Sequence, residues 1–394
     1  MAAEGVSASF NLQNAVLSLI QAGETELLRL LHAVGLTHDV SGQPAWPFAS
    51  RVATETLAID AGLARQVAWV LGAVCLAVAL ATVALAHPRL RPYSAVAALF
   101  ALLLAPWPAR GLILTEANAT SFHRSPTSFD AASISRGLTL YEAHCAACHG
   151  SDGNGEGPRA ASLSVWPPRL SGELLWHRSE GDLFSAVRQG TKDRHGQQTM
   201  PGFSGALSDA EVWSVIDAMR ALAAGASIRS EQSWSEPVRA PDALVHCDDG
   251  TPDRPVSAYR GQRLRIVAVG EGASAPAEDP RLVTLVLQSP ARVAPVPGWS
   301  GCSLSGAAAW IAYVQVGGAT SSEFSGAQLL VDRDGWLRAY GRPGKSDWSQ
   351  DDFICRSNRA SATGPKARDG LGALIAAIDA DPVRTSTLGY AHTP

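Results

Sequence analysis

Basic residues are not in excess in this chain: 32 Lys and Arg stand against 36 Asp and Glu, a formal net charge of −4 over 394 residues. That balance leaves no electrostatic footprint for nucleic acid. Methionine is scarce, with only Met1, Met200 and Met219. The chain start has no basic stretch ahead of an apolar core, so no cleavable signal peptide is expected. Charged residues are missing from residues 66–86 and again from 92–109. The last third has no C-x-x-C pair, which removes the usual basis of dithiol exchange.

The two uncharged runs lead to the first expectation. About 20 apolar residues cross the hydrocarbon core as a helix. Residues 66–86 suffice, and 92–109, extended by Leu112 to Leu114, is read as a second span. The link between them carries Arg89 and Arg91, which favours the cytoplasmic side. Arg65 and Arg110 at the outer ends make that bias modest. The expectation is a two-helix transmembrane hairpin over residues 66–114 in the lipid bilayer of a bacterial cytoplasmic (inner) membrane, with all that follows on the periplasmic side. In residues 1–65, Leu12, Val16, Leu19, Leu27, Leu30, Leu31 and Val34 fall near helical spacing. They describe an amphipathic helix, resting on the membrane, a partner or the chain's own domains.

Residues 144–150 read His-Cys-Ala-Ala-Cys-His-Gly. C-x-x-C-H is the attachment signature of c-type haem. Two thiols one helical turn apart can add across the two vinyl groups, so Cys145 and Cys148 are the candidate covalent anchors. The adjacent His149 then points at the iron. The surroundings resemble a class I cytochrome c, an all-α fold. Residues 133–144 form a first helix with Gly137 and Tyr141 on one face. Ser208 and Glu211 make a capping box for a last helix that bears Trp213, Ile216 and Leu222. Gly137 would let the two helices approach closely.

The sixth iron ligand follows from elimination. Met1 is remote and Met219 lies inside the last helix, whereas Met200 sits in a Thr-Met-Pro-Gly-Phe loop just before it. His195 and His177 are the competing candidates. A thioether ligand gives a higher reduction potential than a second imidazole. A proline carbonyl near Pro168 is expected to accept from His149 Nδ1 and fix its tautomer. Arg169, Trp176 and Arg188 are candidates to line the haem pocket. With both axial positions taken by protein, the reading is one covalent haem c that carries single electrons and is no enzyme.

Within residues 110–224, Thr120-Ser121-Phe122, Ser125-Pro126-Thr127 and Ser133-Ile134-Ser135-Arg136-Gly137 precede the haem motif and the Met200 loop. This pattern resembles the cytochrome c domain fused to copper-resistance D-type membrane proteins. Those proteins have many membrane helices before the cytochrome, so the resemblance does not extend to a copper-transport pathway.

The last third reads as α/β. Residues 264–269 alternate like a strand; 282–287 and 309–316 are apolar and strand-like. Residues 328–331, the turn Asp332-Arg333-Asp334-Gly335 and residues 336–340 make a hairpin, and 369–378 a closing helix. The order resembles a thioredoxin-like (redoxin) domain. Gly270-Glu271-Gly272-Ala273 stands where C-x-x-C belongs, which marks the domain as degenerate. Cys302 and Cys355 are the candidate disulfide.

The expected fold class is therefore multi-domain. It comprises an amphipathic segment (1–65), a transmembrane hairpin (66–114), a cytochrome c domain (115–226), a linker (227–241) and a degenerate thioredoxin-like domain (242–394). The expected partners are the lipid bilayer and other redox proteins or membrane-complex subunits, with no nucleic acid. The competing expectation is a copper-handling accessory protein, for which His246-Cys247-Asp248-Asp249 would supply ligands.

Overall fold

The computed structural model describes residues 19–52, 61–107, 109, 114–175, 178–274, 276–292, 295–344, 347–349, 352–355, 370–385 and 391–392. The chain divides into two compact units, Met1–Phe122 with Thr385–Tyr390, and His123–Arg384 with Ala391–Pro394.

The first unit opens with a helix over residues 19–33 (α1). It buries Leu28 against Trp46 and Phe122, while Leu19, Leu27 and Leu30 stay exposed. Leu12 and Val16 lie outside the described residues. Short ladders follow: β1 (Asp39–Val40) pairs with β2 (Gln43–Pro44), and β3 (Ser50–Val52) with β4 (Leu114–Glu116).

Between β3 and β4 stand α2 (Ala61–Ala86) and α3 (Arg91–Leu103). Among the described residues, only α2 is long and apolar enough to cross a membrane, over Arg65–Ala86. The expected transmembrane hairpin, and with it the two-span topology in the inner membrane, is thereby corrected. The second helix has 13 residues. At 1.5 Å per residue it rises about 20 Å, short of a core about 30 Å thick. Prolines set its length. Pro88 opens a 3₁₀ turn, Pro92 falls in the first turn of α3, and the helix ends after Leu103, ahead of Pro106. An uncharged run fixes hydrophobicity, not helix length.

The second unit holds the haem-motif helices and a sheet. α4 (Ala131–His144) is capped by Asp130, whose side chain accepts from the Ser133 amide. It runs into α5 (Ala146–His149). α6 (Glu180–Gln189) is capped by Ser179. β5 (Thr191–Lys192) pairs with β6 (Gln198–Met200). α7 (Asp209–Glu231) starts at the expected Ser208–Glu211 capping box. It is buried on two faces: Trp213, Ile216 and Met219 join α4 and α6 in one core, while Ala221, Ala224 and Ile228 join the core of the sheet.

That sheet has eight strands. Their ranges are β7 (Val238–Arg239), β8 (Leu244–Cys247), β9 (Arg254–Pro255), β10 (Leu264–Val269), β11 (Val283–Gln288), β12 (Cys302–Leu304), β13 (Gln328–Val331) and β14 (Trp336–Gly341). Their order is β7-β14-β13-β10-β11-β12-β8-β9. β10, β11 and β12 are mutually parallel, while β13 is antiparallel to β10 and β8 to β12. This is a mixed α/β sheet of redoxin-like form. The hairpin and the closing helix, α9 (Gly370–Ala380), stand where the sequence placed them.

Two expectations differ. The strand-like run 309–316 is a helix, α8 (Ala307–Val316). A continuous apolar run has no period to separate strand from buried helix, and three alanines in its first turn favour helix. α8 lies buried with Ile134, Ala224 and Ile228 in the sheet's core cluster. Gly225 makes this fit close, because a Cβ there would lie 2.2 Å from the Gln315 carbonyl oxygen. The second correction is covalent. Cys302 is bonded to Cys247, directly across the β8–β12 ladder, and Cys355 is a buried free thiol. Sequence spacing does not show which strands become neighbours.

Candidate haem site

The site is built from the C-terminal end of α4 outward. Gly137 faces α7 so closely that a Cβ there would lie 1.8 Å from the Ser214 carbonyl oxygen. This crossing fixes the end of α4, where Cys145 is the C-cap. Cys145 and Cys148 then fall on one turn, with the Cys148 amide bonded to the Cys145 carbonyl. His149 follows, 8% exposed. Its Nδ1 is 3.4 Å from the Pro168 carbonyl oxygen, the partner expected for it. A ring held through Nδ1–H presents Nε2 as a ligand.

Glycines shape the loop beyond. Gly150 has φ +77° and Gly155 φ +80°. A Cβ at Gly155 would meet the Pro167 carbonyl at 2.5 Å, and one at Gly157 the Ala146 carbonyl at 2.5 Å. The loop is thus folded onto both α5 and the Pro167-Pro168 segment. The buried Tyr141 hydroxyl donates to the Gly150 carbonyl at 2.8 Å and ties α4 to the same loop.

Met200 is half-buried at the end of β6 and packs on the cluster that holds Tyr141, Cys145 and Trp213. Its strand is clasped to the end of α6. A Cβ at Gly190 would lie 2.4 Å from the Met200 carbonyl oxygen, and one at Gly202 2.6 Å from the Gln189 carbonyl oxygen. Met219 is buried in the same cluster. His195 lies in an exposed turn, its Nε2 3.2 Å from Arg194 Nε. Arg169 is exposed and donates to Asn154 Oδ1 at 3.4 Å. Arg188 pairs with Asp209 at 2.7 Å. Trp176 and His177 lie outside the described residues.

Burial dominates the electrostatics. It lowers the His149 pKa, against the Pro168 hydrogen bond, and so favours the neutral ligating imidazole. Burial pushes the Cys145 thiol up to about 12, with Cys148 adding to the effect. The neutral imidazole is the form that ligates a metal.

One network was not legible in the sequence. Asp217 on α7 is 1% exposed. It accepts from Thr127 Oγ1 and from Ser133 Oγ, and its Oδ1 has no hydrogen-bond partner. Nearby, Glu180 accepts from the Ser125 amide at 2.8 Å and from Arg220 at 2.6 Å. Burial acts to raise Glu180, yet Arg220 and that amide hold it below the usual carboxylate range. The Ser125-Pro126-Thr127 segment is thereby pinned to α6 and α7. The residues were visible in the sequence, but not their partners, because these stand up to 90 positions apart.

Burial raises Asp217 to about 6 from 3.8, against the hydrogen bonds from Thr127 and Ser133. A carboxyl whose folded pKa is raised stabilises fully below its unfolded pKa and loses that contribution as pH rises through the folded value. Asp217→Asn is therefore expected to gain on the parent by about 3 kcal/mol between about pH 4 and about pH 7. Urea unfolding of both proteins across that range checks it; a pH-independent difference would refute the burial argument.

The expected copper ligands do not assemble. Cys247 is spent in the disulfide, and His246 pairs with Asp253 at 2.8 Å. Among the described residues, no group of three or more His, Cys, Asp or Glu is placed to hold a metal ion.

Residues 132–217 match the family described as cytochrome C oxidase, cbb3-type, subunit III. The chain is 36% identical over 99 residues to the cbb3-type cytochrome c oxidase subunit CcoP of Azospirillum brasilense, covering 25% of this chain and 31% of that protein. It is 30% identical over 141 residues to thiosulfate dehydrogenase of Stutzerimonas stutzeri, covering 35% of this chain and 40% of that protein. The chain thus spans less than half the length of both curated relatives. A chain of the Kuenenia stuttgartiensis reducing HAO-like protein complex aligns at 20% identity and a TM-score of 0.23, over 33% of this chain and 58% of that one. A likeness that low carries no weight.

These similarities support a haem c-type redox protein. They also correct the expectation of a carrier that is no enzyme, because thiosulfate dehydrogenase is an enzyme. The physical reason is that closed axial coordination excludes only chemistry at the iron. An enzyme can still pass electrons through such an iron. The similarities to these relatives do not bear on the copper-resistance kinship.

Proposed function

We propose that the second unit carries one covalent haem c and passes single electrons within a membrane-associated redox complex. The similarities to a cbb3-oxidase subunit and to thiosulfate dehydrogenase support that setting. One observation carries the reading: His149, buried directly after Cys148 and one turn beyond Cys145, with Nδ1 3.4 Å from the Pro168 carbonyl and Nε2 left for a metal. Cys145 and Cys148 would hold the haem as thioethers, His149 and Met200 would ligate the iron, and the group supplies one-electron redox chemistry. Pro168 fixes the imidazole ring. The Gly190–Gly202 clasp sets the position of Met200. Arg188 is held by Asp209 and Arg169 by Asn154, and a role for either charge at the haem is part of the proposal.

Met200→Ala tests the ligand set. The parent is expected to be low-spin and, when reduced, unreactive to carbon monoxide. The variant is expected to keep its covalent haem, turn high-spin and bind carbon monoxide nearly completely. An unchanged spectrum in the variant would remove Met200 from the iron.

Purification from native membranes in mild detergent tests the assembly. Partners at fixed stoichiometry are expected. A lone haem protein would exclude an obligate complex.

A further inference from the structure

The sequence argues against thiol chemistry in the sheet domain because C-x-x-C is absent after β10. The fold supplies a different pair. Cys247 on β8 and Cys302 on β12 stand directly opposite each other and are bonded, although 55 residues separate them. The two sulfurs have unequal surroundings. Cys247 is 5% exposed and belongs to the sheet's core, whereas Cys302 is half-buried at the margin of that core. The Tyr259 hydroxyl lies 3.5 Å from Cys247 Sγ and 3.8 Å from Cys302 Sγ. Tyr259 is itself 2% exposed, and the Arg254 guanidinium lies 4.1 Å from its ring centroid. A phenol O–H and a nearby cation both favour negative charge on sulfur.

We propose that Cys247–Cys302 is a dithiol–disulfide redox centre that exchanges with small-molecule thiols, with Cys302 as the attacked sulfur and Cys247 as the leaving thiolate. The step balances without another reactant. A thiolate forms a bond to Cys302 Sγ, the Cys247–Cys302 bond breaks, and its electron pair stays on Cys247 Sγ as a thiolate, to which the Tyr259 O–H donates a hydrogen bond. A second thiolate attacks the small-molecule sulfur of the adduct, which releases a low-molecular-weight disulfide with Cys302 as the leaving thiolate. Two electrons and the two thiol protons thereby reach Cys247 and Cys302.

Position favours reaction without unfolding. β8 and β12 are the second and third strands in from the β9 edge, at the end of the sheet away from the β13–β14 hairpin. The third cysteine of the domain does not compete. Cys355 is 2% exposed, and burial pushes its thiol up to about 12.

The test uses the full haem-loaded chain in glutathione redox buffers at neutral pH, with acid quench, alkylation and peptide mapping. Cys247 and Cys302 are expected to become alkylated together, while circular dichroism and tryptophan fluorescence stay native. Cys247→Ser is expected to form the glutathione adduct on Cys302. Cys302→Ser is expected to leave Cys247 unmodified. Tyr259→Phe, with native dichroism, is expected to slow reduction about tenfold, the effect of one hydrogen bond to a charged sulfur. The proposal is overturned if the disulfide reacts only in unfolding denaturant, which would make it a structural staple. It is equally overturned if the adduct forms on Cys247, or if Tyr259→Phe reacts at the parental rate.

Discussion

Gly137→Val is expected to abolish the haem fold. A Cβ at this position would lie 1.8 Å from the Ser214 carbonyl oxygen and 2.9 Å from Ala218 Cβ. The obstacle is helix backbone, which cannot step aside as a side-chain tip can. α4 and α7 would have to separate, and α7 is held on its other face by α8 and the sheet. Overpacking a yielding core costs about 1–3 kcal/mol; a clash with fixed backbone belongs with the exceptional substitutions above about 4 kcal/mol. Because α4 ends at Cys145, its displacement also removes the anchor from His149. The yield of covalent haem, read by its absorbance per chain, is expected to fall about tenfold or more, in line with a loss of this size. Near-parental yield would show that the helices slide apart easily. Gly137→Ala should fall between, as its single methyl makes the same contact without branching.

The second large effect is expected at Arg338→Met. Arg338 lies on β14 and is fully buried. It donates to Asp332 Oδ2 at 3.0 Å, to the Cys355 carbonyl at 3.1 Å and to the Asp381 carbonyl. Its guanidinium also lies 5.1 Å from the Phe353 ring. Methionine fills similar volume but leaves Asp332 charged and unpaired. Removing one partner of a buried ion pair costs about 3–5 kcal/mol, because the other charge stays desolvated.

The pH dependence separates this cause from lost packing. Burial already raises the Asp332 pKa, against the hydrogen bonds from Trp336 and Arg338. Without Arg338 it rises further. A folded pKa above the unfolded one gives stability at low pH that is lost as pH climbs through it. The deficit of Arg338→Met should therefore shrink on acidification, and Asp332→Asn in the same chain should recover part of it. Denaturant unfolding followed by tryptophan fluorescence measures both. A deficit that is constant with pH would assign the loss to packing alone.

Local signals were legible in the chain. The Ser208–Glu211 capping box follows from its three-residue spacing alone; Asp130 and Ser179 cap their helices by the same local geometry, which only the structure brought out. The β13–β14 hairpin follows from its Asp-Arg-Asp-Gly turn, where Gly335 has φ +89°. The Cys145, Cys148 and His149 spacing is a property of one helical turn. Errors arose where the sequence carries amount without geometry. The uncharged run at 92–109 suggested a membrane span, but proline limits set the helix at Arg91–Leu103. The apolar run at 309–316 had no period, and burial between helices and sheet made it α8.

The sequence by itself determined the attachment motif, the Ser208 start of the last haem-domain helix and the hairpin, because each depends on neighbours within a few residues. Only the tertiary structure decided that Cys302 faces Cys247 rather than Cys355, that Thr127 and Ser133 converge on Asp217, and that α7 serves two cores at once. Those pairings join residues 55 to 90 positions apart. Strand order and helix crossing select them, and both are settled by burying apolar surface across the whole unit rather than by any local pattern.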